Sequence, residues 1–214
     1  LLSFLKQRSI PKNRKYVENI LLTQGLNIGD LKGIIDVCMG LSLNDSYWIT
    51  KANFKGRFSE YNLYENDFSN ALALVAYTGN GTSPISITTS PEFTTGGMLP
   101  KAWRRINSKV YLYKGNSDYY KNEATTEFLS SQILDVMGIP HVKYELEKWK
   151  GLLSSKCEVF TNPSTSYVPI GKFKDCKTIK GCLDFYKNLR KDTKDFIKLS
   201  AVIYQIIITK STIN

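Results

Sequence analysis

The sequence predicts an α+β fold, with helices toward both ends and short strands between them. Three observations carry this. Apolar residues recur at helical spacing near the amino terminus, Ser108 to Gly115 alternates with period two, and beyond Lys172 the pattern is helical again. At 214 residues, with 42% apolar and 22% charged side chains, the chain is long enough to bury a core and too apolar for a disordered one.

Taken in order, residues 11 to 26 read as a helix that opens at Pro11, repeats apolar positions at Tyr16, Val17, Ile20 and Leu21, and stops at Gly25. Asp30 to Met39, ended by Gly40, and Asp67 to Tyr77, ended by Gly79, read as two more. Ser46 to Phe58 is rich in Tyr, Trp, Ile and Phe and is expected to be a strand or hairpin. Asn80 to Pro100 turns to Gly, Ser, Thr and Pro, so a long irregular segment is expected there, and long ordered loops tend to be functional. In Ser108 to Gly115, Val110, Leu112 and Lys114 share one face and Tyr111 and Tyr113 the other. A lysine thus projects beside two aliphatics near a strand's end.

A helix follows over about Asn122 to Met137, with Asn122 as cap and Gly138 and Pro140 as stops. Phe128, Leu129, Ile133, Leu134, Val136 and Met137 form its apolar arc, with Glu127 at the margin beside Leu134. Val142 to Leu146 and Lys156 to Phe160 read as short strands. Thr178 to Leu189 and Thr193 to Thr209 read as helices, the last apolar nearly all round and expected to be buried centrally.

Composition and charge exclude several classes. One histidine, His141, argues against Ser-His-Asp hydrolysis and two-histidine metal centres. Cys38, Cys157, Cys176 and Cys182 have no zinc-ligand spacing and read as reduced thiols in a cytoplasm. No secretory leader is expected, because Ser3 interrupts the opening leucines and basic residues follow; the longest apolar run, Phe196 to Ile208, carries Lys198 and is too short to span a membrane. The net charge of +10 is uneven: residues 1 to 60 hold 9 Lys/Arg against 5 Asp/Glu, residues 61 to 170 hold 10 against 10, and residues 171 to 214 hold 10 against 4. Lys6, Arg8, Lys12, Arg14 and Lys15 could meet phosphate or an anionic surface, or simply form a solvated face. Nucleic acid is not the expected partner, since no basic and aromatic groove pattern accompanies the charge.

One order of parts has a mechanical logic. A Gly-containing loop precedes a strand ending in Lys114, a helix carrying Glu127, and a strand ending in Glu158-Val159-Phe160. Phosphoryl transfer from ATP needs backbone N–H groups around the phosphates, a lysine on their oxygens, an acid holding that lysine, and a strand edge to recognise adenine. Singly, Lys114 reads as a snorkelling surface residue, Glu127 as a solvated helix acid and Gly96-Gly97 as a hairpin turn; it is the order and spacing that point to phosphate. Other phosphate motifs fail: there is no Gly-Lys-Ser/Thr, and Gly79-Asn80-Gly81 is followed by Pro84 where a third glycine belongs.

The stretch Thr95-Gly96-Gly97-Met98-Leu99-Pro100-Lys101 resembles the G-G-x-x-P-K phosphate loop of the HipA-like serine/threonine kinases. Gly40-Leu41-Ser42-Leu43-Asn44-Asp45-Ser46-Tyr47-Trp48, Ser90-Pro91-Glu92-Phe93-Thr94 and Lys148-Trp149-Lys150-Gly151 resemble signatures of a bacterial branch of that family. The resemblance covers nearly the whole chain. It implies a protein-kinase-like N-lobe, an antiparallel sheet plus a helix, with an amino-terminal extension over 1–80, the nucleotide-binding lobe and hinge over 81–160, and the first helices of a helical C-lobe over 161–214. It implies that Thr95, Gly96 and Gly97 lie over the phosphates of ATP, with Lys101 on the next strand, Lys114 as the phosphate-binding strand lysine and Glu127 as the acid that orients it. Glu158 and Phe160 would be the hinge, offering backbone groups to adenine, and Cys157 an apolar filler rather than a reactive thiol.

The departure lies at the end. Such kinases continue into a loop with a catalytic Asp and a magnesium-binding Asn, then another metal-binding Asp. Here no Asp follows Asp195, so no magnesium ligands are identified, and this polypeptide is expected to transfer phosphate at background although the intact enzyme would phosphorylate protein hydroxyls. A non-catalytic nucleotide- or protein-binding regulatory module, a truncated paralogue, is the competing reading. Phe196 to Ile208 would then expose an apolar face and favour self-association. The protein substrate and any antitoxin-like regulator are not legible.

Overall fold

In a computed structural model of the chain, the described residues are 2–81 and 89–168, with positions 178, 180, 181 and 184. Of the expected helix over 178–189 only positions 178, 180, 181 and 184 are described, the last three of them helical; the expected helix over 193–209, and with it the apolar face of 196–208, lies outside the described residues, as do 82–88 of the expected long loop. The architecture is α+β. Helices α1 (Leu2–Gln7), α2 (Val17–Leu22), α3 (Leu31–Cys38), α4 (Phe58–Tyr61) and α5 (Asn70–Thr78) precede a hairpin of β1 (Lys101–Ile106) and β2 (Lys109–Lys114); α6 (Glu123–Val136) then leads to a second hairpin, β3 (Glu145–Trp149) and β4 (Leu152–Glu158). The strands form one antiparallel sheet in the order β1-β2-β4-β3.

Leu1–Phe128 and Val142–Ser166 make one compact unit, while Leu129–His141 belongs to a second. In the first unit, α2, α3 and α5 bury Ile20, Leu21, Ile34, Cys38 and Leu72 with Phe93, each large side chain contributing roughly 1.5–3 kcal/mol. Local signals set these helices: the Asp30 carboxylate accepts from the Gly33 N–H (2.8 Å), the Ser69 hydroxyl accepts from the Leu72 N–H (3.1 Å), and Gly79 ends α5 at φ 73°. No helix among the described residues is long and apolar enough to cross a membrane.

Register divides the sheet into two faces. Ala102 and Tyr113 turn one face toward Ala73 and Tyr77 of α5, where Trp149 also packs. On the other face Lys101 stands opposite Lys114, which stands opposite Ser155, while Leu112 pairs with Cys157. The far end of that face, Trp103, Val110 and Leu112, is covered by Leu41, Leu43, Leu63 and Phe68. The end carrying the two lysines lies nearest the glycine bend.

Several sequence expectations shift. The helix expected over 11–26 forms only from Val17, because Tyr16 adopts φ 61° and the preceding residues turn inward to deliver Arg14 to Glu92. Ser46 to Phe58 forms no strand; Trp48, Phe54, Phe58 and Tyr61 pack ring against ring at centroid distances of 5.3–5.9 Å instead of standing in a ladder. The strands expected at 142–146 and 156–160 are displaced toward each other, because Lys150 and Gly151, both at positive φ, close a tight hairpin. Along α6 the buried positions are Ala124, Ser131 and Leu134, whereas Leu129, Ile133, Val136 and Met137 of the expected apolar arc are exposed. The helix starts directly after Asn122, and the Asn116 side-chain oxygen also accepts from an amide of its first turn, that of Ala124 (2.8 Å).

The basic amino terminus is also largely spent inside the fold. Arg8 pairs with Asp45 (2.5 Å), Arg14 with Glu92, and Lys15 with Asp118 (2.5 Å); Lys6 and Lys12 are exposed. Arg14 and Glu92 are 0% and 1% exposed, so each charge depends on the other for compensation. Arg14→Ala should therefore lower stability by about 3–5 kcal/mol, read by denaturant unfolding, while Lys32→Ala, which removes only the exposed pair with Asp36, should leave the midpoint unchanged.

Candidate functional site

The strand-end lysine and the helix acid meet. Lys114 Nζ donates to Glu127 Oε1 at 2.5 Å and to the Tyr144 hydroxyl at 3.0 Å, and it sits over the Tyr144 ring at 4.6 Å. The second carboxylate oxygen of Glu127 accepts from the Ser155 hydroxyl, one strand beyond Lys114. The Lys114 side chain is 15% exposed and that of Glu127 33%, so the pair is set into the fold with the carboxylate nearer to solvent. Burial alone would push the Lys114 ammonium down, but the Glu127 carboxylate and Tyr144 outweigh it and hold the lysine above its ordinary value. Burial, against the pull of Lys114, pushes the Tyr144 hydroxyl up to about 12, so it remains a neutral donor and acceptor.

The glycine bend reaches the same end of the sheet through Lys101. Its Nζ donates to the Gly96 carbonyl at 2.8 Å, and it is the cross-strand partner of Lys114. Lys101 is 7% exposed, and among the described residues no carboxylate lies within 4 Å of its ammonium. Burial, with the charges of Arg14 and Lys114 close by, pushes it down to about 8. Around the bend, the Thr95 hydroxyl donates to the Pro91 carbonyl (2.6 Å) and accepts from the Trp103 indole N–H (2.8 Å), and the Thr94 hydroxyl donates to the Leu41 carbonyl (2.7 Å). Gly96, Gly97 and Met98 form an exposed tip on this buried base, and among the described residues nothing accepts from their N–H groups. Gly97 has φ 88°, and a Cβ there would run into the Lys101 ammonium.

Glu158 and Phe160 lie at the other end of β4. The Val159 N–H donates to the Val110 carbonyl (2.8 Å), which leaves Glu158 opposite Tyr111 with its own N–H and C=O turned away from β2. The Glu158 side chain is engaged with Lys109 (3.0 Å), and Phe160 is half-exposed. Cys157 is buried beside Lys114, and burial raises its thiol above the ordinary value, as expected of a filler rather than a nucleophile. Cys38 is likewise buried and free, pushed up to about 11.

Sequence reading missed Tyr144 and Ser155, and it missed the pairing of Arg14, read there with the basic residues of the amino terminus, with Glu92. Signals existed for two of them: Ser154 and Ser155 are a polar pair inside a strand, and Glu92 lies within the Ser90–Thr94 signature. In the second unit, His141 Nε2 is hydrogen-bonded to Ser131 Oγ (2.9 Å) while Nδ1–H donates to the Ile139 carbonyl (2.8 Å). Asp135 lies 3.9 Å from Nε2 rather than beside Nδ1, and Ser131 is buried, so this grouping pins the helix end and does not make a nucleophile.

Placing a side chain at Gly97 should cost about 1–2 kcal/mol in backbone strain; Gly97→Ala is expected to lower the melting temperature, whereas Gly96→Ala, which meets no atom within 4 Å, should change it far less. Comparison with protein-family models, with curated proteins and with solved structures finds no match for this chain.

Proposed function

We propose that the chain is the nucleotide-binding portion of a HipA-like serine/threonine protein kinase, with a kinase-like N-lobe and ATP as its ligand. The observation that carries this reading is the ion pair between a lysine at the end of a central strand and a carboxylate on the following helix, Lys114 with Glu127. A lysine so held presents its charge in a fixed direction, and phosphoryl-transfer enzymes of this type depend on that pair being in place.

The residues fit a triphosphate. Lys114 has three N–H donors, of which Glu127 and Tyr144 take two, leaving the third for an oxygen. The N–H groups of Gly96, Gly97 and Met98, which have no acceptor among the described residues, are donors that an anion could take. Lys101, beneath that bend, adds a second positive charge whose desolvation an anion would offset. In this reading Thr95, Gly96 and Gly97 cover the phosphates, Lys114 and Lys101 bind their oxygens, Glu127 keeps Lys114 charged and oriented, and the backbone of Glu158 and Phe160 meets the adenine edge. Bound ATP would supply the phosphoryl group that the intact enzyme passes to a Ser or Thr hydroxyl. Magnesium belongs to the same proposal for the intact enzyme; the described residues contain no group of three or more His, Cys, Asp or Glu that could hold a metal ion, and the roles assigned here belong to the lysines, the carboxylate and the amides.

Calorimetric titration with ATP tests the reading. Wild type should bind, and Lys114→Ala should weaken binding about tenfold or more, the loss expected for a charge-assisted contact; equal affinity in both would remove the proposal. Affinity should also fall as pH rises through about 8, because Lys101 is cationic below that value and neutral above it. Lys101→Met should flatten this dependence and leave the affinity at high pH unchanged.

A further inference from the structure

Arg14, far from the bend in sequence, brackets it on both sides. Its guanidinium donates to the Glu92 carbonyl (2.5 Å) and carboxylate before the bend, and to the Lys101 carbonyl (2.9 Å) after it. The next residue grips the bend itself: the Lys15 N–H donates to the Met98 carbonyl at 2.9 Å. Glu92 in turn uses its other carboxylate oxygen to accept from the Trp103 N–H (2.7 Å), and the Trp103 indole holds Thr95. Arginine suits this position because one planar fork can satisfy several oxygens in fixed directions. Residues 14 and 15 therefore tie together the two buried feet and the exposed tip of the glycine segment.

We propose that Arg14 is a positioning residue for the phosphate loop: through Glu92, Lys101 and the adjoining Lys15–Met98 bond, the amino-terminal segment holds the Gly96–Met98 amides in the shape that accepts phosphate before any ligand arrives. This rests on the nucleotide reading of the bend. A loop fixed beforehand spares the ordering cost on binding, so loosening the bracket weakens phosphate recognition without touching groups that meet the base. Arg14 is thus separated from the solvated basic residues of the same segment, Lys6 and Lys12.

The test compares ATP with adenosine, which lacks phosphates, on the full chain well below its melting temperature. Two variants are used: Arg14→Lys, which keeps a charge opposite Glu92 but loses the fork, and the double change Arg14→Met with Glu92→Gln, which removes both members of the buried pair together and retains an acceptor for the Trp103 N–H. Affinity for ATP is expected to fall about tenfold while that for adenosine stays within about twofold. Equal weakening of both ligands would reduce Arg14 to a structural role and overturn the proposal, as would ATP affinity that does not change. A wild-type chain that binds adenosine and ATP equally would overturn the phosphate reading of the bend itself, and with it this one; a chain that binds neither would overturn the nucleotide reading as a whole.

Discussion

A lysine ammonium withdrawn from water keeps its charge by pairing with an anion, and Lys114 does so by drawing β2, β4 and α6 to one point. Glu127 is fixed by two hydrogen bonds from the sheet, one from Lys114 and one from Ser155 in the neighbouring strand. The pair keeps the lysine charged against the pull of burial. Tyr144, reaching in from the segment before β3, fills the remaining side.

The second lysine makes the arrangement asymmetric. Lys101 and Lys114 are cross-strand neighbours on one face, and two cations so placed repel. Glu127 relieves Lys114, whereas Lys101 has the Gly96 carbonyl, a dipole and not a charge. Burial is the first cause of its lowered proton affinity, with the charges of Arg14 and Lys114 adding to it, and it lies beneath a bend whose amide donors have no acceptor among the described residues. A buried cation without an opposite charge beside it is costly for the protein.

The glycine bend keeps its exposed tip because its feet are buried. Residues such as Glu92 and Arg14, inaccessible to solvent and paired among the described residues only with each other and with backbone, tie residue 92 to residue 101 across the bend. The same economy explains why the basic amino terminus offers no broad cationic surface: three of its five charges are directed to Asp45, Glu92 and Asp118.

Period, caps and breakers are local properties, and they made α3, α5, α6 and β2 legible within a few residues of their bounds. The alternation that put Lys114 on the face of Val110 and Leu112, and the helical spacing that brought Glu127 to the edge of α6, follow from backbone geometry alone. What could not be read was every contact that closes over a long stretch of chain. Arg14 finds Glu92 across 78 positions, Ser155 finds Glu127 across 28, and Trp48 chooses neighbouring rings over a ladder. Those pairings depend on which buried charges and rings have no better partner once the sheet has formed, a question of three-dimensional proximity that no window of sequence contains.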